Sequence, residues 1–174
     1  VWLSGQVRSQ PGYYGPCDVD EEIAPGMTAA LVACNRAGYL SQQSQAGISE
    51  VGRDGNHQQQ LAWVAGFAAP ALAGLIADAA RAAGFRVILW TRQMKAETFW
   101  VTTVNLQPQT GDCWLAPRFV RGWFAGAGRS AVREAVAAQH LSIIDDIPGR
   151  NDLWEWLTHT IPVLMQPAPA GMTV

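Results

Sequence analysis

Proton-transfer chemistry in this chain has one natural centre, His57, which follows the turn Gly52-Arg53-Asp54-Gly55-Asn56 and precedes three glutamines. An imidazole titrates near neutrality, so a loop histidine can act as a general base once a carboxylate orients it. Asp54 in the same turn, or Asp20 upstream, would be that carboxylate. The competing reading is an exposed histidine with no catalytic part. His140 and His159 fall at helix ends in the pattern, where the dipole favours a cationic imidazole, and they read as structural.

The surroundings of His57 suit recognition better than catalysis. Gln42, Gln43, Gln45, Gln58, Gln59 and Gln60 crowd between two apolar elements, and their amides offer donors and acceptors without charge. Tyr13 and Tyr14, held between the turns of Gln10-Pro11-Gly12-Tyr13-Tyr14-Gly15-Pro16, make a stiff aromatic surface, and Trp63 adds an indole. The expected ligand-binding set is therefore Tyr13, Tyr14, Gln43, Gln45, Gln58, Gln60 and Trp63, facing a nucleotide-like or other small polar molecule.

Other signals are weaker. Gly126-Ala127-Gly128-Arg129-Ser130 precedes a helical pattern and has the character of a phosphate-cradling turn, though such helix starts are common. Asp18, Asp20, Glu21 and Glu22 could hold a cation, but acids ahead of a helix are also what its dipole favours. Neither a Walker loop, a Gly-x-Ser-x-Gly elbow, a His-Glu-x-x-His pair nor a Cys-x-x-Cys pair occurs. No metal and no cofactor is expected.

To position these residues the chain has 174 residues, enough for one sizeable core. Charged residues make up 15%, below the usual ~25%, and the net charge is -2. Without clustered lysine and arginine, a nucleic-acid partner or an anionic membrane surface is not expected. The nearest approach to a basic cluster is Arg118, Arg121, Arg129 and Arg133. Cys17, Cys34 and Cys113 are odd in number and lack metal spacing, which points to reduced cysteines in a cytoplasmic protein, with Cys34 in the core. No apolar run reaches the ~20 residues of a membrane span. VWLSGQVRSQ is not a signal peptide, and its start without Met leads us to expect residues upstream. The eight tryptophans suit half-buried and ligand-facing places.

Periodicity predicts helices over Met27 to Ala37, Pro70 to Ala83 (stripe Leu72, Leu75, Ile76, Ala79), Ser130 to Gln139, capped by Ser130, and Leu153 to Ile161, limited by Pro162. Strands are expected in Ser41 to Gly47, His57 to Phe67, Phe85 to Thr91, Phe99 to Leu106, Phe119 to Phe124 and Leu141 to Ile144. The first two should pair as a hairpin that sets Gln43 or Gln45 across from Gln58 or Gln60. The rest of Gln107 to Gly128 reads as irregular. The fold class is α+β (or α/β), a single domain over 1–165 with a mostly antiparallel sheet packed against helices, and a flexible tail at 166–174.

The segments QPGYYGPCDVDEEIAPGMTAALVACNRAGYLSQQSQAG, DGNHQQQLAWVAGFA and PGRNDLWEWLTH together resemble an actinobacterial domain family of unknown function. The likeness is strongest from Gln10 to Phe67. It carries no catalytic assignment and supports the segmentation. Three functions stay open: a small-molecule binding protein, a small hydrolase or transferase using His57, and a protein-interaction or assembly domain anchored by exposed Trp and Tyr.

Overall fold

The computed structural model describes residues 23–123, 126 and 128–164. Tyr13, Tyr14, Cys17, the acidic run and the 166–174 tail lie outside them. Along the chain come helix α1 (Met27–Arg36), strands β1 (Leu40–Gln45), β2 (Ile48–Val51), β3 (His57–Gln60) and β4 (Trp63–Ala68), and α2 (Pro70–Ala82). Then follow β5 (Arg86–Leu89), a single 3-10 turn, β6 (Thr98–Val104), β7 (Gln107–Cys113), α3 (Pro117–Trp123), α4 (Arg129–Ala137), β8 (Gln139–Ile144) and α5 (Asp152–Leu164). All pairings are antiparallel and form two four-stranded sheets, an inner one of order β1-β4-β8-β5 and an outer one of order β2-β3-β6-β7. The α+β expectation holds, as one domain of three layers.

Successive strand residues point to opposite faces, which splits β4 and β8 between two cores. Val64, Leu141 and Ile143 face α1, α2 and α5, with Met27, Leu31, Ile76, Trp154, Leu157 and Ile161 fully or nearly fully buried. Trp63, Ala65 and Ile144 face the outer sheet and meet Val101 and Phe99. Small residues let α2 lie close on the inner sheet: its buried stripe is Ala73, Ile76, Ala77 and Ala80, whereas Leu75 is 54% exposed. The helix therefore sits turned from the leucine stripe that periodicity suggested.

Further expectations are corrected. His57 to Phe67 is not one strand: it breaks at Leu61 and Ala62, leaving β3 in the outer sheet and β4 in the inner one. The hairpin partner of β3 is accordingly β2, while β1 pairs with β4. Gln107 to Cys113 is an edge strand, polar because most of it faces solvent. Pro117–Trp123 is a helix, its first turn started by Pro117, where a strand was expected from Phe119. At the C-terminal end α5 passes through Pro162 to Leu164, giving up one bond to the Thr158 carbonyl while Leu157 and Ile161 hold it on the core. Ser130 lies inside α4, which starts from Gly128 without a side-chain cap.

Candidate functional site

The glutamines divide between the two sheets. Gln45 donates from Nε2 to the carbonyls of Leu61 and Val101, both at 3.0 Å, and accepts from Thr102 Oγ1 at 3.1 Å. Its amide thus ties β1 to the outer sheet. Gln60 donates to the Ala46 carbonyl and accepts from Gln58, at 3.2 and 2.9 Å. Gln43 pairs with Ala65 and Gln45 with Trp63, so those side chains share the inner-sheet face that meets the outer sheet. Trp63 is 2% exposed, and its Nε1 and the Oε1 of Gln42 are buried without a hydrogen-bond partner among the described residues. His57 is exposed at the start of β3, where its backbone N–H donates to Asn105 Oδ1. Asp54 accepts from the backbone and side chain of Asn56, which hold its carboxyl below the usual range. The structure thus gathers Gln43, Gln45 and Trp63 on one face, and sets Gln58, Gln60, His57 and Asp54 in the outer sheet and its turn.

The quoted sequence segments meet in space. Asn35 of the Asn-Arg-Ala-Gly run bonds the Leu31 carbonyl and Ser41, and Gly38 follows with φ 90°, closing α1. Gly47 donates to Asn151 Oδ1 at 2.7 Å and accepts from Asn151 Nδ2 at 3.1 Å, while Trp154 Nε1 donates to the same Oδ1 at 3.2 Å. A Cβ on Gly47 would overlap the Arg150 carbonyl oxygen. Arg150 donates from Nε to both oxygens of the fully buried Asp145, at 2.6 and 2.8 Å. Asn151 therefore latches the β1–β2 junction to the start of α5.

A different kind of polar cluster lies at the other end of β8. Phe67 pairs with His140 and Ala65 with Ser142, which puts both polar side chains beneath the outer sheet. Asp112, 3% exposed on β7, reaches down to them. Its Oδ2 accepts from Ser142 Oγ and, at 2.7 Å, from Trp90 Nε1, and its Oδ1 accepts from the Cys113 N–H at 2.9 Å. Trp90 is pinned because its N–H donates to the His140 carbonyl and its own carbonyl accepts from Gln139 Nε2. Burial raises the Asp112 carboxyl above its usual value, against those three hydrogen bonds. Burial and then the Asp112 charge raise the Cys113 thiol, away from a nucleophilic thiolate.

His140 is 5% exposed and stacks between Phe67 and Trp90, with centroids at 5.0 and 6.3 Å. Burial lowers its pKa to about 4, so the ring is neutral at pH 7. Its Nε2 lies 3.9 Å from Asp112 Oδ1, too far for a hydrogen bond. Neither ring nitrogen has a hydrogen-bond partner among the described residues. A neutral imidazole carries one donor and one acceptor, and each left unmade in the interior costs about 1–3 kcal/mol. The ring borders a cavity of about 100 Å³ with Phe67, Trp90 and Trp114, lined also by Pro117 and Val120 of α3 and Ala135 and Val136 of α4.

Sequence reasoning set His140 at a helix end; it is a strand residue with a buried side chain. Its partners come from positions 67, 90 and 112, so no local motif announces them. The one available signal was alternation, since His140 and Ser142 are polar residues two apart beside Leu141 and Ile143. No group of three or more metal-ligating side chains occurs among the described residues.

These features define a three-layer α+β domain with an aromatic cavity floored by an unsatisfied histidine. The chain belongs to a family described as a domain of unknown function, DUF6919, whose model matches residues 1–163. No protein of curated function matches it. Among the described residues no helix is long and apolar enough to cross a membrane.

Proposed function

We propose that the protein binds a small molecule in the cavity beside His140. The observation that carries this reading is the pair of unpartnered ring nitrogens on a nearly fully buried histidine that lines the cavity. A ligand group that hydrogen-bonds to one of them recovers part of what the fold leaves unmade, while Phe67, Trp90 and Trp114 pack against the end that enters. Gln43 and Trp63, on the same face, remain candidates for further contacts. The same reading sets the protein in a cytoplasm, supported by free cysteines at Cys34 and Cys113, and in an actinobacterium, supported by the quoted sequence segments. Phenol, a single ring with one hydrogen-bonding group, is the test probe. It should shift the Trp90 and Trp114 indole N–H signals in a ¹H–¹⁵N titration, and His140→Phe should abolish the shifts. Unmoved indole signals at saturating phenol would discard the cavity as a site.

One observation favours a hydrolase or transferase as a second reading. Asp112 lies near enough to His140 Nε2 to favour the proton there, leaving Nδ1 as a base. Hydrolysis of p-nitrophenyl acetate above the imidazole background, lost in His140→Phe and kept in His57→Ala, would support it. Loss in His57→Ala alone would move the chemistry to the exposed histidine, and background rates throughout would end the enzyme reading.

A further inference from the structure

The two helices that line the cavity carry an unusual charge. Between Trp114 and Gln139 the chain has four arginines, Arg118, Arg121, Arg129 and Arg133, and one acid, Glu134, on a chain of net charge -2. All four arginines are exposed. Near the inner sheet, Arg86 and Arg150 each pair with an aspartate. Among the described residues none of the four on α3 and α4 does. Arg118 lies over the Phe119 ring at 4.9 Å.

Helical geometry relates these charges to the cavity wall. Pro117 and Val120 line it from α3, and Ala135 and Val136 from α4. At 3.6 residues per turn, Arg121 and Arg129 each lie about 70° around their helices from the midpoint of the two lining positions. They flank the wall without entering it. The floor has the opposite character, a neutral imidazole beside the buried Asp112 carboxylate, which would repel an anion.

Size adds a constraint. A cavity of about 100 Å³ is smaller than the ~150 Å³ that encloses a benzene ring. Only one end of a ring-sized molecule enters, and the rest stays at the arginine-bearing helices. We propose that the ligand is a planar aromatic acid, its neutral hydrogen-bonding end inward on His140 and its carboxylate outward on Arg121 and Arg129. Guanidinium groups match carboxylates in planar, two-point fashion, and at a rim they also steer the anion inward.

This inference rests on the cavity reading, and the experiment separates the two. The probes are 4-hydroxybenzoate and 4-hydroxybenzamide, titrated into the full chain and followed at the Trp90 and Trp114 indole signals. The acid should bind at least about fivefold more tightly than the amide at low salt, an advantage that NaCl erodes. The Arg121→Gln/Arg129→Gln variant should remove the advantage and leave the amide's affinity unchanged. Equal affinities for acid and amide would overturn the assignment of an anion while leaving the cavity as a site. An acid preference that survives the double variant would overturn the role of these two arginines. Binding by neither probe would overturn both readings.

Discussion

β8 carries a buried polar cluster at each end, and the two are finished differently. Beyond Ile144, Asp145 takes two hydrogen bonds from Arg150 Nε, and the adjoining Asn151 uses its side chain on Gly47 and Trp154. At the beginning of the strand, Asp112, Ser142 and Trp90 satisfy one another, but the ring nitrogens of the histidine among them have no hydrogen-bond partner among the described residues. A cluster whose groups are all paired gains nothing from a ligand; one with an orphaned donor and acceptor does. The contrast separates polar groups that the fold itself satisfies from ring nitrogens that it does not.

The sharpest way to break the satisfied end is Gly47→Ala. Its methyl group would overlap backbone rather than a movable side chain, at Arg150, so a loss of roughly 3 kcal/mol or more is expected in urea unfolding. A loss below about 1 kcal/mol would mean that the junction gives way easily.

Acid attacks the other end. The His140 imidazole titrates near 6.5 when unfolded and at about 4 when folded, so the unfolded chain binds the extra proton between those values. Stability is fully present above pH 6.5 and falls as pH drops toward 4, by on the order of 3 kcal/mol. Asp112 works the other way, because its raised carboxyl takes up a proton in the folded state first and offsets part of the loss. Urea curves at pH 7 and pH 4.5 for the wild type and His140→Phe isolate the histidine: the variant should lose less stability on acidification.

Smaller effects sharpen the comparison. Asn151→Ala leaves the Gly47 N–H and the Trp154 indole unpaired and should cost about 2 kcal/mol. At pH 7, His140→Phe removes two unmade hydrogen bonds but adds ring volume between Phe67 and Trp90, so a net change of no more than about 1 kcal/mol, in the stabilising direction, is expected. A large destabilisation there would make His140 a structural residue after all.

Much of the fold was legible where burial follows a period. Met27, Ala30, Leu31 and Cys34 lie buried on α1 as their spacing indicated, and β6 and β8 fall where β-branched and apolar runs do. The failures share a cause. Gln107 to Cys113 buries so little that it carries no apolar pattern, and Leu61 and Ala62 continue a strand pattern while the chain changes sheets. The site was illegible for a different reason: His140 matters through contacts with residues from three other segments, and in one dimension it is a histidine beside a helix. The dense glutamines drew attention instead, and the amides of Gln45 and Gln60 proved to be committed to stitching strands together.

That stitching has a mechanical consequence. Where the chain changes sheets, the Leu61 N–H bonds the Val101 carbonyl, the Leu61 carbonyl takes Gln45, and the Ala62 carbonyl takes the Asp145 N–H. The crossing has no slack, so the two sheets are bound like pages along a spine and cannot part on that side. The cavity lies toward the far margin, where α3 and α4 line it.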